Sequence, residues 1–111
     1  MRGTMDLNEL AKQTLKQAEQ RQANGANIKT DTFSMLKHCA TEVVEAMEAY
    51  SQRECVGITY YYDREHFAAE LADIIACVLI IAGKEDIDIE KALADCMAKN
   101  EKRAQGLGDK L

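Results

Sequence analysis

From Ala68 to Ala82 the chain holds only two polar side chains, Glu70 and Asp73. The remainder, including Leu71, Ile74, Ile75, Val78, Leu79, Ile80 and Ile81, is apolar on every side of a helix. Such a helix is expected to be buried by neighbours all round. Ionised carboxylates are costly to bury without compensation, so the same stretch also demands a positive partner for Glu70 and Asp73. The longest uninterrupted apolar run, Ile74 to Ala82, falls short of the roughly 20 residues a membrane-spanning helix needs. The expectation is a core helix with no membrane partner.

The rest of the chain reads as helices too. There is no proline, no tryptophan and only six glycines in 111 residues, and 47% of the side chains are apolar, a balance that favours long helices over a turn-rich β fold. Asp6, with Glu9 three residues on, is a capping signal for a first helix whose stripe is Leu7, Leu10, Ala11, Leu15 and Ala18. That helix is expected to stop near Asn24-Gly25. A second helix runs from Thr30–Thr32 to about Tyr50, with Phe33, Leu36, Ala40, Val43, Val44 and Met47 as its apolar face. A loop with Gly57 and the run Tyr60, Tyr61, Tyr62 follows. The third helix is expected from Asp63 to Ala82, with Gly83 as a left-handed cap. The fourth opens near Asp86 or Asp88, carries Ile89, Ala92, Leu93, Cys96 and Met97, and leaves a loose tail from Ala104. The fold class is therefore all-α: one domain over residues 1–111, an antiparallel bundle of about four helices. Because so apolar a third helix exceeds what three others can cover, the bundle is expected to assemble as a homodimer or homotetramer.

Charge and cysteines narrow the partners. Nineteen Asp and Glu against 14 Lys and Arg give a net charge of -5, which argues against a nucleic-acid polymer as partner. Cys39, Cys55, Cys77 and Cys96 form no C-x-x-C pair and read as free, buried thiols of a cytoplasmic protein.

The chemistry sits in the acidic pairs. Glu70 and Asp73 share one helical face at a spacing of three, and Glu42 and Glu45 repeat the spacing in the second helix. On adjacent antiparallel helices these would form a cluster of four carboxylates that repel one another unless cations bridge them. Oxygen ligands at this density suit Mg²⁺, or Mn²⁺, better than zinc. His38 precedes Glu42 by four and His66 precedes Glu70 by four, so both helices read H-x-x-x-E-x-x-[E/D]. Each histidine stands one turn from a carboxylate pair, within reach of a phosphate or of a carboxylate outside the ligand set.

The pattern Glu42-Val-Val-Glu45, then Glu70-Leu-Ala-Asp73, with Lys99, Asn100 and Arg103 as a K-N-x-x-R ending, resembles the MazG-like all-α nucleoside triphosphate pyrophosphohydrolases over about Phe33 to Arg103. The resemblance implies that Glu42, Glu45, Glu70 and Asp73 are catalytic and hold Mg²⁺ around a nucleoside triphosphate. Water would attack the α-phosphorus and pyrophosphate would leave, in housecleaning or control of a nucleotide pool. It also implies that Lys99, Asn100 and Arg103 bind substrate; His38, from the repeated H-x-x-x-E spacing, is a further substrate-binding candidate. Two positions depart from the family pattern: Cys96 stands where relatives often carry lysine, and Thr41 where many carry a further glutamate. Two other readings compete. A carboxylate-bridged di-iron bundle wants E-x-x-H on two helices, and only Asp63-x-x-His66 comes close. A non-catalytic oligomerisation protein would pair its carboxylates with Lys37, Lys99 or Arg103.

Overall fold

The computed structural model describes residues 6–51 and 63–106, which form four helices: α1 (Leu7–Ala23), α2 (Thr32–Ser51), α3 (Arg64–Lys84) and α4 (Ile89–Ala104). Their starts follow the acidic caps in the sequence. Asp6 accepts from the backbone N–H groups of Asn8 and Glu9, Asp31 from Ser34, Asp63 from Glu65 and His66, and Asp88 from Lys91. Asp63 thus serves as the N-cap of α3. Helix α1 ends at Asn24 with Gly25 at φ 97, and the Ala26 N–H reaches back to the Arg21 carbonyl at 2.9 Å, the six-to-one bond of a glycine-terminated helix. The Gly57 and Tyr60–Tyr62 loop and Cys55 lie outside the described residues.

Gly83 does not cap α3. The helix continues through it to Lys84, and the left-handed residue that turns the chain toward α4 is Asp86, at φ 55, a conformation aspartate tolerates better than most residues. Gly83 answers a packing need instead. A Cβ there would lie 2.7 Å from the Ala11 carbonyl oxygen and 3.2 Å from the Leu15 Cβ, so its missing side chain sets how closely α1 and α3 approach.

Helix α3 is the central element, packed on one side by α1 and on another by α2. One core cluster joins Ala18, Met35, Cys77 and Ile80, with Leu15, Ile28, Cys39 and Ile81 around it; a second joins Ala11, Leu79 and Ala82 with Leu10 and Ile89. The α1 stripe expected from the sequence is the one that faces this core. Helix α4 is held through Asn8, whose Oδ1 accepts from the Ile89 N–H at 2.9 Å and whose Nδ2 donates to Asp88 Oδ1 at 2.9 Å. No residue of α4 is fully buried.

Two expectations about burial fail within one chain. Helix α3 is not covered all round, since Leu71, Ile75 and Val78 are exposed. On α2 the expected apolar face points outward: Phe33, Leu36, Val43, Val44 and Met47 are exposed, while Met35, Glu42, Ala46 and Ala49 are buried. Of the buried four, Met35 packs on Cys77 and Ile80 of α3, and the others are the small residues Ala46 and Ala49 and the carboxylate Glu42. Cys96, expected to be buried, is exposed, whereas Cys77 is buried and Cys39 half-buried; all three are free thiols. Taken over its whole length, α3 is also long and apolar enough to cross a membrane by length and composition, a property the shorter uninterrupted run did not reveal.

Candidate active site

Antiparallel packing of α2 on α3 brings their acidic residues together. Ligand oxygens of Glu42, Glu45 and Glu70 lie within 4.8 Å of one another. Glu42 is only 8% exposed, and the Glu70 side chain only 12%. Glu45 is the exposed member. Asp73, expected as a fourth ligand, lies exposed outside this trio. Its charge still acts on the group, since Asp73 is among the carboxylates that push up Glu42 and the Cys77 thiol.

The cluster is electrostatically strained in the direction its geometry demands. Burial is the main force raising the Glu42 pKa, followed by the charge of Glu45, with Asp73 and Glu70 adding to it and His38 opposing. Burial likewise pushes the neighbouring Cys77 thiol up to about 11, with Cys39, Glu42 and Asp73 contributing. This thiol is inert rather than nucleophilic.

The repeated H-x-x-x-E is a real structural unit in both helices. His38 Nε2 lies 3.0 Å from Glu42 Oε1, and His66 Nε2 lies 3.5 Å from Glu70 Oε1. Each histidine therefore engages one carboxylate oxygen of its own helix. The other oxygens, Glu42 Oε2 and Glu70 Oε2, are buried and have no hydrogen-bond partner among the described residues. Two buried carboxylate oxygens left open beside a third carboxylate are a donor set for a hard divalent cation.

The remaining candidates sit apart. Lys99, Asn100 and Arg103 are exposed on the last turns of α4, and the Asn100 amide lies 3.7 Å from Cys96 Sγ on the same helix. The charges that act most strongly on Glu42 all come from α2 and α3. Thr41 is exposed, and its hydroxyl donates to the Lys37 carbonyl at 3.3 Å. A feature the sequence did not disclose is a cavity of about 220 Å³ beside His38, lined by Arg21, Asn27, Lys29 and Ser34 as well as Ile28 and Met35. Its residues come from three segments, so no linear spacing marks it.

Comparison with known proteins agrees with the acidic pattern. Searches of curated proteins and of solved structures return no significant match. Residues 30–107, which contain both acidic pairs and the end of α4, match the family model described as the MazG nucleotide pyrophosphohydrolase domain. With most of its length in that match, and two carboxylate-bearing helices packed face to face, the chain belongs to the MazG nucleotide pyrophosphohydrolase family, a family of hydrolases.

Proposed function

We propose that this protein is a Mg²⁺-dependent enzyme that splits a nucleoside triphosphate into its monophosphate and pyrophosphate. Glu42, Glu45, Glu70 and Asp73 form the metal-binding set, with Mn²⁺ as a substitute ion. The observation that carries this reading is the pair of buried oxygens on Glu42 and Glu70 that find no hydrogen-bond partner among the described residues, in a trio whose ligand atoms lie within 4.8 Å. Carboxylates so placed are costly unless a cation neutralises them. A bound divalent ion supplies charge neutralisation at the phosphates, a lowered pKa for water and stabilisation of the departing pyrophosphate.

The chain's own residues do the rest. His38 and His66 fix Glu42 and Glu70 so that the open oxygens face the cluster. Glu45, the exposed carboxylate, is reached by water without displacing buried side chains and accepts its proton. As the water oxygen bonds to the α-phosphorus, the bond from that phosphorus to the bridging oxygen breaks, and its electrons leave with pyrophosphate. Lys99, Asn100 and Arg103 bind substrate oxygens from the exposed surface of α4.

A homodimer or homotetramer belongs to the same reading. Leu71, Ile75 and Val78 on α3 and Leu93 and Met97 on α4 are exposed in the single chain, and a second copy of the chain covers them. The α3 carboxylates also make that helix a poor membrane span, because an acidic side chain at the bilayer centre costs about 2.5–3.5 kcal/mol on insertion scales. Free cysteines fit a reducing cytoplasm, and the physiological role is nucleotide housecleaning or pool control. The competing reading, a non-catalytic oligomerisation protein with structural ion pairs, is less well supported: the ion pairs of Glu42 and Glu70 among the described residues are with half-exposed histidines.

A pyrophosphate-release screen over normal and modified nucleoside triphosphates tests the proposal. We expect release of pyrophosphate from at least one substrate with Mg²⁺ or Mn²⁺ and none in EDTA. Release of orthophosphate, or hydrolysis that EDTA leaves unchanged, would overturn it.

A further inference from the structure

The cavity beside His38 joins the last turn of α1 (Arg21), the segment linking α1 to α2 (Asn27, Ile28, Lys29) and the first turns of α2 (Ser34, Met35, His38). Among the described residues its lining contains two permanently charged cations and no carboxylate, in a chain whose net charge is -5. Among the described residues Arg21 makes no ion pair. Lys29 is drawn to Asp31, whose carboxylate is held below its ordinary range first by the Ser34 side chain and backbone and then by the Lys29 charge. Asp31 is thereby committed to capping α2, with the Ser34 N–H donating to it at 3.1 Å. The cavity keeps a positive balance.

Its position is the second observation. His38 lines the cavity and also lies 3.0 Å from Glu42 Oε1, so a single imidazole separates the basic cavity from the carboxylate cluster. A ligand extending from that cluster toward α1 would pass from the acidic zone into the basic one. Among the described residues the lining offers no Phe, Tyr or Trp ring on which a base could stack, but it offers a planar guanidinium, an ammonium, an amide and a hydroxyl, groups that bind phosphate oxygens.

We propose that Arg21 and Lys29, with Asn27, Ser34 and His38, form a subsite for the pyrophosphate portion of the substrate and for the released product. This rests on the hydrolase reading above, which by itself assigns no role to α1 or to the segment after it. Phosphate oxygens could instead come from the nucleoside monophosphate product, so the test carries both ligands.

The experiment measures binding of inorganic pyrophosphate and of a nucleoside monophosphate by titration calorimetry in EDTA, and pyrophosphate inhibition of turnover with Mg²⁺. It compares wild type, the double variant Arg21→Ala/Lys29→Ala, and Lys16→Ala, which removes an exposed α1 charge away from the cavity. The double variant is expected to weaken pyrophosphate binding and product inhibition about tenfold, the factor given by about 1.4 kcal/mol. Lys16→Ala should match wild type, and circular dichroism melts should confirm that all three fold. Unchanged pyrophosphate binding and inhibition in an active double variant would overturn the subsite while leaving the hydrolase reading intact. A loss confined to nucleoside monophosphate would also overturn the pyrophosphate assignment. Should wild type release no pyrophosphate from any nucleotide yet bind it through Arg21 and Lys29, the hydrolase reading fails and the anion site stands.

Discussion

His38 Nε2 sits 3.0 Å from Glu42 Oε1, one helical turn away, and leaves Glu42 Oε2 buried without a hydrogen-bond partner among the described residues. The same arrangement recurs on α3, where His66 lies 3.5 Å from Glu70 Oε1. A carboxylate held by one oxygen presents the other in a fixed direction, which is how partners outside the ligand set tune a metal site. His38→Ala should therefore weaken Mg²⁺ binding by about tenfold or more, read as a higher Mg²⁺ concentration for half of the metal-induced rise in Tm. His38→Gln, which retains a donor, should recover part of it. Equal Mg²⁺ responses in all three proteins would show that the histidine does not orient Glu42.

The acidic cluster should respond to neutralisation with opposite signs in the two buffers. In EDTA, Glu70→Gln and Asp73→Asn remove repulsion around Glu42 and ought to preserve or raise Tm. With Mg²⁺ they should lose most of the metal-induced stabilisation and most pyrophosphate release. Structural ion pairs would give equal destabilisation in both buffers.

Gly83→Ala offers a test of the α1–α3 contact. The added Cβ would meet the Ala11 carbonyl oxygen at 2.7 Å, and overpacking of this kind costs about 1–3 kcal/mol. Better helix propensity returns up to about 1 kcal/mol. We expect a net loss, visible as a lower denaturant midpoint at unchanged m; a more stable variant would mean that α1 moves away at little cost.

The Asn8–Asp88 contact makes a pH prediction. Hydrogen bonds from the Asn8 side chain and then from the Lys91 backbone hold Asp88 below its ordinary value of 3.8. A depressed folded pKa means stabilisation that is present above 3.8 and lost as pH falls through the lower folded value. Asn8→Ala should shrink this acid-side loss. It should also remove a cap worth about 1 kcal/mol, so that amide exchange rises first in α4. Uniform exchange across α1 to α4 would argue against α4 as a separately tethered element.

Ile75, at 58%, and Met97, at 63%, are large apolar side chains left exposed in the single chain. Sedimentation at micromolar concentration should show a principal species heavier than the 12.4 kDa chain. Ile75→Glu together with Met97→Glu should shift it toward that mass. A stable wild-type monomer would contradict the assembly.

Most of the secondary structure was legible because its signals are local. Asp6, Asp63 and Asp88 cap through backbone groups two or three residues away, and Gly25 takes a positive φ directly after α1. The acidic pairs were equally legible, since a spacing of three puts both members on one side of a helix whatever surrounds it. Periodicity cannot say which side that is. Phe33, Leu36, Val43, Val44 and Met47 of α2 are exposed and Glu42 is buried because α3 packs on the face that carries Met35, Glu42, Ala46 and Ala49, a choice made between helices rather than within one. For the same reason Gly83 read locally as a cap, although its role depends on the Ala11 carbonyl across the α1–α3 contact. The cluster of Glu42, Glu45 and Glu70, and the basic cavity built from Arg21, Lys29 and His38, exist only once separate segments are brought together. The chain order determined which groups each helix carries; the packing angle and register of α1, α2 and α3 decided which oxygens lost their water and which were left to meet a cation.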